Sequence, residues 1–245
     1  DTFAPNTAAE HSGPTQTIKT NADGVQLAEN LPLLANHANK IAVVRGMTST
    51  KGAHQQGNYF MHTSYAQRAT IVHPSMGAWM TRLDRRFNPT LPGAVVVGGG
   101  SRHPLSGFLS TSHQPLAVGN PNEGLKNVKR LWGMTEEKFE QGLDLSQRLD
   151  GSFTQKYNLE KVNAYSDMYD DAVRLMKSKD LQAFDLKDES ESTRESYGSD
   201  NFGQGVLLAR RLVERQVRFV EVQLGGWDTH QNNFSRVPDR CSILD

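Results

Sequence analysis

The run Val217-Arg218-Phe219-Val220-Glu221-Val222-Gln223-Leu224, followed at once by Gly225-Gly226-Trp227-Asp228-Thr229-His230, constrains this chain more than any other segment. Residues 219–224 alternate apolar and other side chains as a strand does, and two glycines end it. An Asp and a His then stand two residues apart. At the carboxyl end of a strand in an α/β sheet, where ligands gather, Asp228 and His230 are placed like metal ligands. A polar turn, with Asp228 capping the next segment and His230 merely exposed, accounts for the same residues.

What surrounds that strand is bounded by size and charge. A chain of 245 residues, 36% hydrophobic and 22% charged, is long enough for one large domain or two small ones with a real core. Lys+Arg 27 against Asp+Glu 27 leaves no net charge, so nothing points to a nucleic-acid partner or a charged membrane surface. A mean hydropathy of -0.59 and no apolar run near 18 residues exclude a transmembrane helix. Cys241 is the single cysteine, so no intrachain disulfide can form.

The N-terminal third reads as α/β. Pro5, Gly13, Pro14 and Gly24 among polar residues predict an irregular loop over 1–24. Helical spacing of Leu27, Leu31, Leu34 and Ala35 predicts a helix over 27–39, and Ile41-Ala42-Val43-Val44 a short buried strand. A small-residue loop, 45–53, leads into a helix from His54 to Tyr65. On it His54, Asn58 and His62 share one face at i, i+4, i+8. A solvated face explains such a stack; so does a site, because a strand, a Gly/Ser/Thr loop and a helix N-terminus together present backbone N–H groups to an anion. His54 stands at that end.

Further along, His73-Pro74-Ser75 opens a second helix, with Pro74 in its first turn, Ser75 as a cap and His73 structural. Residues 91–97 form a strand that ends in Gly98-Gly99-Gly100-Ser101, a flexible turn rather than a phosphate loop, since neither a Walker lysine nor GxGxxG follows. Residues 101–124, with His103-Pro104 and Gly107-Phe108-Leu109, make a long excursion beyond that strand end. From about 125 to 200 the composition shifts to charged helical periodicity, read as a helical insertion within a single domain. An amphipathic helix over 202–214 turns Val206, Leu207, Leu208, Leu212 and Val213 inward and Arg210, Arg211 and Arg215 outward. The fold class expected is α/β, with a mostly parallel sheet built from roughly 41–44, 93–97 and 218–224 and flanked by helices.

Asp1-Thr2-Phe3, Ile41-Ala42-Val43-Val44-Arg45, His54 with Tyr59 and Met61-His62-Thr63, His73-Pro74-Ser75-Met76-Gly77, Gly107-Phe108-Leu109, Gly203-Gln204-Gly205 with 207–214, and Gly225-Gly226-Trp227-Asp228-Thr229-His230 together resemble the bacterial family known as domain of unknown function 1501. That family is grouped with the alkaline-phosphatase-like and sulfatase-like proteins. The resemblance implies a three-layer α/β/α sandwich with a metal site at the strand ends, in proteins often exported to the periplasm or secreted. It also implies a divalent metal, zinc first with calcium or magnesium as alternatives, and a phosphate or sulfate ester as substrate, of a small molecule or a polysaccharide.

Laid onto this sequence, the superfamily's mechanism makes Asp228 and His230 the central ligands, although its phosphatases space the pair Asp-x-x-x-His. Asp1 is a further ligand, and Asn58 and His62 bind substrate in the same cleft. Counting back nine residues from Thr63 to the sulfatase nucleophile position reaches His54, where no Cys, Ser or Thr stands. His54 is left as the catalytic residue, whether ligand, general base or histidine nucleophile, with Ser49 and Thr50 the nearest hydroxyls. Family members also carry an apolar strand and Gly-Gly before the Asp-Thr-Phe, and Gly-Arg-Thr-Pro and Gly-Arg-Asp-His segments after the present end. The comparison therefore implies a fragment that lacks both ends of the domain, with too few donors to catalyse alone. Two functions follow: a metal-dependent ester hydrolase, or a non-catalytic binding or surface-associated protein on the same scaffold.

Overall fold

The computed structural model describes residues 2–5, 13–83, 87–99, 102–128, 132–157 and 159–245. Two compact units make up the chain: residues 1–50 with 224–245, and residues 51–223.

The larger unit is organised by a parallel sheet of three strands in the order β4-β3-β5: β3 (Ala94–Val97), β4 (Leu116–Val118) and β5 (Phe219–Val222). Val95, Val96 and Val97 pair with Leu116, Ala117 and Val118 on one side, and Ala94 to Val97 pair with Phe219 to Val222 on the other. All four residues of β3 are buried, as a central parallel strand covered on both faces requires. Strand alternation then sorts the side chains: Ala94, Val96, Phe219 and Glu221 share one face, and Val95, Val97, Val220 and Val222 the other.

Glycines set how closely helices approach these faces. A Cβ on Gly77 of α3 (Met76–Leu83) would stand 2.9 Å from Phe219 and 3.2 Å from Ala94, so α3 lies on the Glu221 face. A Cβ on Gly205 of α7 (Asn201–Glu214) would stand 2.9 Å from Val222 and 3.1 Å from Val97, which puts α7 on the opposite face. There Leu207, Leu208 and Leu212 join Val95, Val97 and Phe184 in the main core. Asp200 caps α7, its carboxylate accepting from Phe202 N at 2.8 Å and Gly203 N at 3.1 Å. The α/β class and the parallel pairing of 94–97 with 219–222 are as the sequence predicts.

Before the sheet comes α2 (His54–Thr63), and α3 follows, with Ser75 Oγ accepting from Ala78 N at 3.3 Å as its cap. Pro74 precedes that cap instead of sitting in the first turn. Between β4 and α7 lie α4 (Glu136–Lys156), α5 (Glu160–Lys177), 3-10 turns at Lys179–Phe184 and Leu186–Asp188, and α6 (Glu191–Ser196), so the described part of the 125–200 stretch is largely helical, as expected.

The smaller unit holds a hairpin of β1 (Thr17–Lys19) and antiparallel β2 (Gln26–Ala28), the short α1 (Pro32–Ala35), and α8 (Asn233–Leu244). Leu27, Leu31, Ala35 and Cys241 form its core, with Trp227 packed against them. Asp245 accepts from Leu33 N at 2.9 Å and Leu34 N at 2.8 Å, satisfying donors that open α1.

Several sequence expectations need correction. Residues 17–19 are a strand where a loop over 1–24 is predicted. The helix over 27–39 survives only as α1 and a 3-10 turn at Ala38–Lys40: Leu27 and Ala28 pair with Ile18 and Thr17 in the hairpin, and at the far end the Asn21 side chain donates to Asn36 O and accepts from Asn39 N. Ile41–Val44 is no strand, and Val44 is exposed; an apolar run of four needs a strand edge to pair with, and it has none among the described residues. Its place in the sheet goes to Leu116–Val118, three residues, too short to show a period. On α7, Arg211 is buried and Val213 exposed, because the inward face runs through 204, 207, 208, 211 and 212 at i, i+3, i+4, i+7, i+8. Arg211 donates to Ala183 O, Gln182 O and Glu189, which keeps its charge compensated inside.

A Cβ on Gly203 would lie 1.8 Å from Tyr197 O, a backbone atom that cannot step aside. Gly203→Ala is expected to destabilise the protein by about 2–3 kcal/mol, a drop of roughly 5–10 °C in Tm. Gly142→Ala, in the exposed turn of α4 where a Cβ meets nothing within 4 Å, should instead gain about 0.5–1 kcal/mol. Thermal melts of the two variants beside the parent decide it.

Candidate functional site

In the larger unit the chemistry collects where the parallel strands end. Glu221 is the one charged residue in β5 and lies on the α3 face, in register with Val96. Gln223 follows β5, its N–H donating to Val97 O at 3.0 Å, so the two polar side chains leave the same face two residues apart. The Gln223 amide donates to Glu221 Oε1 at 2.6 Å.

Two histidines meet this carboxylate. His62, near the end of α2, has Nε2 2.9 Å from Glu221 Oε1. Its Nδ1 is 2.8 Å from the carbonyl of Asn58, one turn back. A carbonyl only accepts, so Nδ1 carries a hydrogen and Nε2 is the atom presented to Glu221. His103 arrives on the loop after β3. Its side chain is 4% exposed, its Nε2 is 3.5 Å from Glu221 Oε2, and that nitrogen has no hydrogen-bond partner among the described residues. The two imidazoles stand edge to face with centroids 4.7 Å apart.

Both histidine carriers are held from behind. Tyr59, buried on α2, accepts from His73 N at 2.6 Å and bonds His73 Nδ1 at 2.7 Å, and Tyr65 stacks on the His73 ring at 4.1 Å. His73 is thus structural, as its sequence context suggests. The His103 loop docks on the same segment: Ser75 N and Oγ donate to Leu105 O at 3.0 and 2.9 Å. Gly107 makes this docking possible, since at φ +55 its missing Cβ would fall 2.4–2.6 Å from the His73-Pro74 backbone.

Electrostatics follow from the geometry. The Glu221 hydrogen bond raises His62's pKa; burial works the other way and the Asn58 carbonyl adds to the rise. For Glu221, burial pushes the carboxyl up, but His103, His62 and the Gln223 amide outweigh it and hold it well below the usual carboxylate range. Because the Asn58 carbonyl and the Glu221 carboxylate both only accept, the geometry favours the imidazolium form of His62 beside an ionised Glu221.

The residues picked out in the sequence fall as follows. His54 opens α2 in the larger unit and is exposed; Asn58 and His62 lie on the same helix, Asn58 with a buried Oδ1 that has no hydrogen-bond partner among the described residues. Asp228 and His230 belong to the smaller unit, with His230 Nε2 3.0 Å from Asp228 Oδ2 and both side chains at least half exposed. Asp1, Gly100 and Ser101 lie outside the described residues. Sequence reasoning missed Glu221 and His103. The signal for Glu221 was available, a lone carboxylate in the middle of an apolar strand; His103 in a long loop carried none.

Because His62's folded pKa lies above its ordinary 6.5 and Glu221's below its ordinary 4.5, the pair's contribution to stability is full between about pH 4.5 and 6.5. It is lost as pH rises through the His62 value and as pH falls through that of Glu221. Glu221→Gln is expected to move the His62 titration down, followed by imidazole NMR in chelator, and to flatten Tm against pH above 6.5.

The family described as Protein of unknown function (DUF1501) matches residues 1–245. No curated protein and no solved structure matches the chain.

Proposed function

We propose that this chain, which belongs to the DUF1501 family, carries part of the metal site of a metal-dependent hydrolase of phosphate or sulfate esters, built on the three-layer α/β/α sandwich of the alkaline-phosphatase-like proteins. The observation that carries the reading is the Asp228–His230 pair. Its donor atoms, 3.0 Å apart, are open to solvent on the segment that leaves β5. Two donors on one tetrahedral zinc, each about 2.0–2.1 Å from the ion, are about 3.3 Å apart, so the pair fits a single ion with a small rotation.

A divalent ion there would supply Lewis-acid polarisation of the ester and a more acidic bound water. The chain's own part is simpler. Asp228 brings the negative charge and His230 a neutral imidazole, which leaves positions open for an ester oxygen. Trp227, packed on the smaller unit's core, anchors the segment so that both donors project from a fixed backbone. The role of His54 as general base or nucleophile rests on the sequence alone. Zinc is the first metal on this donor set, and export to the periplasm or beyond is part of the same reading.

A non-catalytic binding protein on the same scaffold is the second reading. It is favoured by one observation: His54 stands where the superfamily's hydroxyl or thiol nucleophile is expected.

The test is a panel of aryl phosphate monoesters, diesters and sulfate esters given to the full-length protein after chelation and reloading with zinc, magnesium or calcium. Metal-stimulated hydrolysis is expected, and Asp228→Ala should reduce it by about 100-fold or more. Metal binding without turnover of any ester would favour the binding protein, and turnover indifferent to Asp228 and His230 would remove the proposed ligands.

A further inference from the structure

We infer that His62, His103 and Glu221 form a binding site for a zinc-type divalent ion, one that uses neither Asp228 nor His230. Each residue offers one donor atom, and the three lie within 4.8 Å of one another. Two imidazoles and a carboxylate are a donor set of zinc enzymes that keep a coordination position open.

Three features point to an ion and not to a chance cluster. First, His62 is oriented as a ligand: its Nδ1–H is spent on the Asn58 carbonyl, the outer partner that metal-binding histidines use to aim Nε2. Second, that Nε2 faces a carboxylate oxygen at 2.9 Å. A neutral imidazole would set a lone pair against a negative oxygen, with only the Gln223 amide 3.4 Å from Nε2 to relieve it, so a cation, either a proton or a metal, fits the gap better. Third, His103 is nine-tenths buried and its Nε2 approaches Glu221 Oε2 at 3.5 Å as an ion pair, without a hydrogen bond among the described residues. A buried polar atom so placed is unfavourable unless something engages it more closely. The two imidazoles approach the two oxygens of one carboxylate, His62 Nε2 at 2.9 Å from Oε1 and His103 Nε2 at 3.5 Å from Oε2, close to the roughly 3.3 Å between neighbours on tetrahedral zinc. Location agrees, since the carboxyl ends of parallel strands are where α/β sheets place ligands.

One contact must change on loading. Leu105 N–H donates to His103 Nδ1 at 3.1 Å, so in the metal-free molecule the ring proton sits on Nε2. Ligation through Nε2 moves that proton to Nδ1, where it can no longer accept from Leu105. The Leu105 amide is therefore a reporter of ion binding that lies outside the donor set.

The full-length protein, stripped with chelator, is titrated with zinc by calorimetry and with cobalt(II) by visible absorption. Glu221→Gln and His62→Gln should weaken one class of site by about 100-fold or more, while Asp228→Asn leaves that class unchanged. The opposite pattern would belong to the hydrolase reading, so the two proposals fail separately. If either variant does not fold by circular dichroism, amide and imidazole NMR of the parent decides: zinc should shift Leu105 N–H and the rings of His62 and His103. Saturating zinc that leaves those resonances in place, or Glu221→Gln binding as tightly as the parent, overturns the inference.

Discussion

The parallel pairing of β3 with β5 is the constraint that the larger unit is arranged around. It sets Ala94 to Val97 beside Phe219 to Val222, residues more than a hundred positions apart, and fixes which side chains face which helix. Slipping the register by one residue would turn Glu221 into the Leu207–Leu212 face and Val222 out of it. Gly77 and Gly205 hold α3 and α7 close to opposite faces, so that slip would bury a charge against leucines with no partner. Packing and register thus enforce one another.

The same pairing explains how a carboxylate is tolerated inside an apolar strand. Glu221 sits at the sheet's edge of exposure, where His62, His103 and Gln223 surround it. Burial disfavours its charge, and the surrounding donors restore it. Each donor is held by contacts that do not involve the carboxylate: the Asn58 carbonyl for His62, the Ser75–Leu105 bonds for the His103 loop, the Val97 carbonyl for Gln223. Such outside support makes a site rigid enough to select an ion. The Asp228–His230 pair is built differently, from two neighbouring residues on an anchored but exposed segment.

Local signals in the sequence identified the elements whose pattern is long or strongly punctuated. The 219–224 strand, the helix from His54, the Ser75 cap, the charged helices between 125 and 200 and the α7 helix all follow from periodicity, caps or glycines that act within a few residues. Short apolar runs carry no such local signal. Ile41–Val44 and Leu116–Val118 look alike in isolation, and only the available edge of β3 made one of them a strand.

The site divides in the same way. The sequence by itself determined the Asp-x-His pair after a strand and the one-sided row of His54, Asn58 and His62, because their spacings are fixed by two residues of extended chain or by the helical pitch. Only the tertiary structure decided that His62 meets Glu221 and His103. Those three residues come from a helix, a loop and a strand spread over 160 positions, and their meeting depends on the β3–β5 register and on Gly107 letting the loop reach His73. No local pattern encodes that, since the free energy that brings them together is the burial of other residues in the core.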